Sequence, residues 1–329
     1  MFLTFVALAS AQDTLRVHFL DQGQGEATLI EAPCAALLID TGGEDPLQYN
    51  GNAALTRDLD AFFERRPDLD HKLDLVVLTH PHIDHTRNLP TLLQRYQVAR
   101  VVDNGRSDEH DSGGVEQIYA QQYVERCERW QDEDCPVEHQ AILFASVKKI
   151  EPVELDLPRA KACPVELTVT ALWGGVQGAD WDKGNQNSQS VVLRVDYGDS
   201  SVLLTGDLQL EGIAALLERY PDGELDVDLY QVGHHGSHNA TTRALLLAMS
   251  PKISVVSMGP PDRQGRFSAY SFGHPRKHVV QCLNAHASLG TPAPRQVQVG
   301  TATRTFEPAT LIGAVFSPAW DEPVVALTH

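Results

Sequence analysis

The sequence is poor in positive charge, in sulfur and in aromatic rings. Lys and Arg number 26 against 44 Asp and Glu, a formal net charge of −18 over 329 residues. A protein that coats long nucleic acid by charge alone is thereby excluded, because such binding needs basic patches that neutralise phosphates. An enzyme that meets a single phosphate at a metal is not. Five cysteines are present, Cys34, Cys127, Cys135, Cys163 and Cys282. None is spaced as CxxC, which removes the common zinc-finger arrangements, and the odd count leaves at least one unpaired. Cys127 and Cys135 are near enough in sequence to close a small loop in an oxidising compartment; a scatter of free thiols is the alternative. No internal apolar run approaches the roughly 18 residues of a bilayer-spanning helix. Met is scarce at 3, whereas His stands at 14. That excess of imidazole points toward metal chemistry.

The N-terminus carries a short apolar run, Phe2 to Ala9, followed by Ala9-Ser10-Ala11. A small-x-small triplet after an apolar run has the shape of a signal-peptidase site. Cleavage would leave Gln12 first, so residues 1–11 are expected to be a signal peptide, although its usual positive flank is missing. The expected location is secreted or periplasmic. The alternative is a buried first strand in a cytoplasmic protein.

Length allows two domains or one large α/β domain. Short apolar runs separated by Gly or Pro, at 14–20, 27–31 and 36–40, read as strands of a meander. Helical periodicity at 53–65 and 89–96 brackets a β-branched strand at 73–78, and another strand follows at 98–102. The pattern weakens from 104 to 157, where acidic residues interleave with Tyr and Trp and one helix is expected at 115–130. That stretch reads as an insertion over a site. The plan then repeats. Strands are expected at 166–172, 190–196, 201–205, 227–232 and 253–257, helices at 210–219, 241–249 and 276–287, and a strand-like tail at 296–316. Strands followed by strand–helix units, stated twice, predict two packed β-sheets with helices outside. No linker divides residues 12–329, so one domain is expected.

The decisive stretch is Thr79-His80-Pro81-His82-Ile83-Asp84-His85, directly after the strand at 73–78. In extended backbone, residues two apart point the same way. His80 and His82 therefore project together, Asp84 continues that side, and His85 follows as the chain turns. Imidazole and carboxylate suit zinc and related divalent ions. Leu203-Leu204-Thr205-Gly206-Asp207 is a buried strand ending in a carboxylate placed to bridge two ions. Gly233-His234-His235-Gly236-Ser237 follows another apolar strand, and reads as one ligand plus one substrate contact.

These motifs, with Leu37-Leu38-Ile39-Asp40-Thr41-Gly42-Gly43 before them, resemble in order those of the metallo-β-lactamase fold family of metallohydrolases. Within it the chain looks closest to the soluble hydrolase domain of the ComEC-type DNA-uptake proteins. Leu20-Asp21-Gln22-Gly23-Gln24-Gly25-Glu26-Ala27 is similar to that group's DVGQGDA segment, with Gln22 and Glu26 departing from it. Asn187-Ser188-Gln189-Ser190-Val191-Val192-Leu193 is similar to its NxxSxVL, His234-His235-Gly236-Ser237 to its HHGS, and Gly273-His274-Pro275 to its GHP. The resemblance implies an α/β fold, the metallo-β-lactamase-like αβ/βα four-layer sandwich of two mixed sheets with outer helices. It implies no DNA transport.

Carried over residue by residue, the resemblance places His80 and His82 on a first ion, and Asp84, His85 and His234 on a second. Asp207 bridges, and Asp40 orients a ligand histidine. Which of His234 and His235 ligates stays open, with His234 favoured as nearer the strand end. Asn187, Ser190, His235, Ser237 and His274 would meet the substrate or its leaving group, and Asp84, Asp207, His235 and His274 would serve the reaction. The broader family places a further histidine near Asn187 to Ser190; its lack here, shared by ComEC-like domains, implies a weaker first site. One or two divalent ions, zinc or manganese, are expected. A divalent ion brings the pKa of a bound water to about 7. The implied function is metal-dependent hydrolysis of a phosphodiester, with a nucleotide or DNA as substrate. A hydrolase of lactams or esters and a catalytically silent binding module are the alternatives. Lys183, Arg263 and Arg266 are loop cations that could meet phosphate, plain solvated charges being the commoner alternative for isolated loop cations.

Overall fold

The structure, a computed structural model, describes residues 13–43, 49–106, 137–178, 185–221, 223–321 and 323–328. Two seven-stranded mixed sheets dominate it. In the first, Val324–Leu327, Arg16–Phe19, Thr28–Glu31 and Ala36–Ile39 run antiparallel in that order. Leu75–Val77, Arg100–Asp103 and Glu138–Ala141 then add on in parallel. The second sheet repeats the scheme. Val153–Glu154, Leu167–Trp173, Val192–Tyr197 and Ser200–Leu204 are antiparallel, and Leu229–Gln231, Ile253–Val255 and Val315–Phe316 continue in parallel. Each parallel step needs a crossover, which is why helices enter only in the second part of each half.

The period-2 alternation of strand side chains divides the core. Leu37, Ile39, Leu75, Val77 and Val102 of the first sheet join Leu193, Val195, Leu203 and Val255 of the second in one continuous interior. Leu38, Leu29, Val76 and Val101 face the other way, onto Leu55, Leu59, Phe62 and Phe63 of the helix Gly51–Arg65 and Leu89 and Leu92 of Leu89–Arg95. On the second half, Ile213 and Leu216 of Leu210–Arg219, Leu245 and Met249 of Arg243–Met249, and Val279 and Leu283 of Lys277–His286 are buried likewise. This is the expected α/β sandwich.

Four elements differ from expectation. The stretches 73–78 and 98–102 each divide: Lys72–Leu73 pairs with Gln97–Val98 in a separate two-stranded sheet, while Leu75–Val77 and Arg100–Asp103 belong to the first large sheet. The tail at 296–316 is a long hairpin, Gly290–Ala302 with Thr305–Gly313, followed by the sheet strand Val315–Phe316. Within the expected insertion, Glu138–Ala141 and Val153–Glu154 are edge strands of the two sheets, so its described part is woven into the sandwich. The expected helix at 115–130, Cys127 and Cys135 lie outside the described residues, as do residues 1–11. Cys34 and Cys163 form a disulfide across 129 residues of sequence, with Cα atoms 5.1 Å apart. It joins the turn after Thr28–Glu31 in the first sheet to the approach to Leu167–Trp173 in the second. Among the described residues no helix is long and apolar enough to cross a membrane.

Candidate metal centre

The chemistry-bearing residues sit just past the carboxyl ends of neighbouring strands in the two sheets. Asp40 follows Ala36–Ile39, Thr79 to His85 follow Leu75–Val77, Asp207 follows Ser200–Leu204, and His234 and His235 follow Leu229–Gln231. In open α/β sheets this rim is where ligands bind. The halves are locked together there. Val191 N donates to Thr79 O at 2.8 Å. Gly206 has φ +49°, and a Cβ on it would meet Thr79 Cβ and Oγ1 at 2.8 Å. Only glycine fits this approach without strain.

Asp40 organises the first histidine segment. Its Oδ1 accepts from Thr79 N at 2.7 Å, and its Oδ2 accepts from Thr79 Oγ1 at 2.8 Å and from His85 Nδ1 at 2.7 Å. With its hydroxyl proton on Asp40, Thr79 Oγ1 accepts from His80 Nδ1 at 3.1 Å. One carboxylate thus fixes both rings and turns each Nε2 outward. His235 is fixed in the same way, its Nδ1 donating to Ser257 O at 3.0 Å.

Asp207 divides its oxygens between the two sides of the site. Oδ2 lies 3.7 Å from His80 Nε2 and 3.5 Å from His234 Nε2. Oδ1 lies 3.4 Å from His85 Nε2 and 3.8 Å from His235 Nε2. His235 Nε2 is also 3.4 Å from Asp84 Oδ2. Two ligand groups result, each with its donor atoms within 4.8 Å of one another: His80, His82 and Asp207, and Asp84, His85 and His235. Sequence reasoning favoured His234 for the second group. The geometry brings His235 there instead and leaves His234 on the Oδ2 side of Asp207. The cause is the backbone, since both residues are left-handed, with φ of 50° and 52°, and the two rings diverge. Each such residue costs on the order of 1 kcal/mol or more, a strain typical of functional sites.

The fit to a divalent cation is testable on these atoms. His85 Nε2, His235 Nε2 and Asp207 Oδ1 are buried and have no hydrogen-bond partner. Buried polar atoms are otherwise almost always paired, so three orphans converging on one point fit a cation between them. The electrostatics agree. Burial opposes charge on His85, but Asp207 and Asp40 outweigh it and push the ring well above its ordinary value. His235 is raised to about 9, where burial is outweighed by Asp207 and Asp84. Asp207 is held well below the carboxylate range, since His234, His85 and His235 overcome its burial. Burial pushes His80 well below the usual imidazole value, and His85 and His82 add to it. His234 is lowered by burial as well. The residues present fit the group.

The remaining residues named from sequence fall around this centre. His274 is buried, its ring centroid 5.9 Å from that of His234 and 6.4 Å from that of His235. Its Nδ1 is 3.5 Å from Gln24 Nε2. Burial, with His235 and His234 adding, pushes it well below the imidazole range. Ser190 Oγ accepts from Asp207 N at 3.1 Å and so holds the backbone of Asp207. Asn187 and Ser237 are buried, and Asn187 Oδ1 has no partner. Arg263 is no free cation. Its guanidinium donates to both oxygens of Asp21, at 2.8 and 2.5 Å, and lies 4.0 Å from the Tyr49 ring centroid. Arg266 is exposed, over the Phe267 ring. Lys183 lies outside the described residues. Sequence reasoning missed Glu26 as a site residue. It is fully buried, bonded to Gln231 Nε2, and grouped with Asp40 and His85. Burial raises it to about 8. Its signal was its place in the motif at 20–27.

The model of the Metallo-beta-lactamase superfamily matches residues 20–259. ComE operon protein 3 of Bacillus subtilis is 25% identical over 297 residues, 87% of this chain and 33% of that protein. Recombination protein 2 of Haemophilus influenzae is 26% identical over 291 residues, 88% of this chain and 29% of that protein. The chain thus spans about a third of the length of these curated relatives. Among solved structures, CmlA, a diiron beta-hydroxylase from Streptomyces venezuelae, covers 91% of this chain and 54% of its own, with a TM-score of 0.46 at 14% identity.

Proposed function

The chain belongs to the metallo-beta-lactamase superfamily, and from that premise we propose that it is an exported, metal-dependent phosphodiesterase acting on nucleotide or nucleic-acid substrates. The observation that carries the reading is the division of Asp207, with one oxygen toward His80 and His234 and the other toward His85 and His235. A carboxylate shared in this way suits two cations side by side, and paired cations suit the anionic oxygens of a phosphodiester. Zinc or manganese held there would supply Lewis acidity and a hydroxide-strength nucleophile near neutral pH. The protein's own residues hold and orient. Asp40, Thr79 and Ser257 fix the rings, and Ser190 fixes the backbone of Asp207. His274, kept neutral by burial and with its ring 5.9 Å from that of His234, contacts the leaving group in this reading. The name of one relative, Recombination protein 2, favours nucleic acid over lactam. The Cys34–Cys163 disulfide favours export, because such bonds persist in oxidising compartments.

The test is turnover of single-stranded DNA, a chromogenic phosphodiester and a chromogenic cephalosporin by purified protein, with and without chelator. Chelator-sensitive cleavage of the first two is expected. Turnover of the cephalosporin alone, or of nothing in metal-loaded protein, would sink the reading.

A further inference from the structure

The two segments that bring His235 and His274 to the centre continue past it and meet again. Arg276 N donates to Gly236 O at 2.9 Å, and a Cβ on Gly236 would meet Pro275 Cβ at 2.6 Å. Beyond that contact lies a second cavity, of about 450 Å³, walled by His238, Arg276, Lys277 and His278. Its other lining residues are uncharged. In a chain with net charge −18, a hollow with four basic-type side chains and no acid among its lining residues runs against the average.

The four side chains are not equivalent. Lys277 is paired with Glu307 on the long hairpin. Arg276 has no ion pair or side-chain hydrogen bond among the described residues, and its Nε is buried without a partner. A buried guanidinium N–H left unpaired is costly, and such a group calls for an explanation. Guanidinium is the side chain matched to phosphate geometry, with paired N–H donors that meet two oxygens at once. His238 and His278 add imidazole edges to the same cavity.

We propose that this cavity is a subsite for a non-reacting phosphate of the substrate chain, with Arg276 as its main contact. The proposal rests on the phosphodiester reading of the metal centre and sharpens it. The preferred substrate is then an oligonucleotide with phosphates on both sides of the reacting bond. A lone mononucleotide would fill only part of the site. Arg276 touches the substrate away from the reacting atoms, so it acts on binding and specificity.

Calorimetric binding to the full chain in chelator, where no turnover interferes, tests this with three probes: inorganic phosphate, thymidine monophosphate and a 5′-phosphorylated thymidine trinucleotide. In wild type the trinucleotide should bind about tenfold tighter than the mononucleotide, as expected for one added charge-assisted contact. Arg276→Ala should remove that preference and lower the salt slope by about 0.7, the loss of one single-strand phosphate contact. Arg276→Lys should keep most of the slope and lose part of the affinity, since the charge remains and the fork does not. His278→Ala provides an independent, milder weakening if Arg276→Ala fails to fold. Equal trinucleotide binding by wild type and both alanine variants overturns the proposal. So does inorganic phosphate binding as tightly as the trinucleotide, which would make the cavity a free-anion site. If Arg276-dependent trinucleotide preference is found but metal-loaded protein cleaves no phosphodiester, the subsite stands and the hydrolase reading fails.

Discussion

Asp40 Oδ2 lies 2.7 Å from His85 Nδ1, and the carboxylate that makes this bond also accepts from both Thr79 N and Thr79 Oγ1. Asp40 itself is left-handed, with φ 58°, an uncommon geometry for a non-glycine residue. One side chain therefore sets His85 directly and His80 through Thr79. Asp40→Asn should keep the fold but offer an amide where Thr79 and His85 need acceptors. Metal affinity should fall by about 10- to 100-fold, the usual cost of losing a partner behind a ligand. Titration of metal into chelated protein measures it, and unchanged affinity would contradict the role given to Asp40.

The split of Asp207 between two ligand groups makes a second expectation. Asp207→Ala removes a ligand of the His80 and His82 group together with the carboxylate oxygen that faces His85 and His235, whereas His235→Ala removes a ligand from one group. Elemental analysis of purified variants should show the largest metal loss in Asp207→Ala. His235→Ala should lose more metal than His234→Ala, because His235 is buried and fixed by Ser257 O, whereas His234 is part-exposed beside Gln209. The reverse order for the two histidines would restore the assignment favoured by sequence position.

That pair of histidines marks the limit of what the sequence made legible. His80, His82, Asp84 and His85 are close neighbours in the chain, so their clustering was legible, but strand periodicity applies only to His80 and His82; Asp84 and His85 lie in the short helix Ile83–Thr86. Asp207 was legible as the carboxylate ending an apolar strand. The choice between His234 and His235 depends on two consecutive left-handed residues, which no periodicity encodes. Arg263 looked free because its partner, Asp21, is 242 residues away. The same holds for Val324–Leu327, which joins the first sheet by pairing with Arg16–Phe19 at the opposite end of the chain. Local pattern fixes which residues form strands, but not which distant strand or charge completes them.

The Cys34–Cys163 bond, likewise invisible in spacing, should matter for stability. In the chain-entropy account, a loop of about 100 residues gives a disulfide worth about 4.7 kcal/mol. The pair here closes 129 residues and ties one half of the sandwich to the other. Cys34→Ala with Cys163→Ala, or reduction of the native bond, should lower the denaturation midpoint by an amount equivalent to several kcal/mol, about 2–5 in small secreted domains. Denaturant titration with and without reductant checks it.

Glu31 supplies an acid-labile contact. Its buried carboxylate meets His18 at 2.8 Å, Arg65 at 2.7 Å and Arg66 at 3.1 Å. Burial opposes the charge, but hydrogen bonds from His18, Arg65 and Arg66 outweigh it and hold the carboxyl well below its ordinary range. The unfolded state then binds the proton first, so this stabilisation is complete above the unfolded value of about 4.3 and is lost as pH falls below it. Glu31→Gln should destabilise the protein by about 1–3 kcal/mol near neutral pH, the order for weakening a buried hydrogen-bonded group whose cationic partners, such as the half-exposed Arg65, still reach solvent. The gap between wild type and variant should narrow as pH drops below the carboxylate range. Denaturation midpoints across that range measure it, and a gap independent of pH would exclude the charge of Glu31 as its cause.

The two ligand groups should also differ in how metal competes with protons. His80 is held neutral by burial, so its nitrogen is available at neutral pH. His85 and His235 are pushed up by Asp207, Asp40 and Asp84, so both carry protons near neutrality when no cation is present. A cation entering the Asp84, His85 and His235 group must displace those protons, while one entering the His80 and His82 side need not displace a proton from His80. Metal uptake by the former should release about two protons, one per ring, and weaken steeply as pH falls. His234, also lowered by burial, lies on that same side, its Nε2 3.5 Å from Asp207 Oδ2, so metal there should weaken less as pH falls. The ranking of the two groups should therefore shift toward the His80 side as the solution is made mildly acidic. Calorimetry in two buffers of different ionisation enthalpy, repeated across that range, separates proton release from binding heat. Two equivalent sites with the same proton count at every pH would show that the groups are not distinguished in this way.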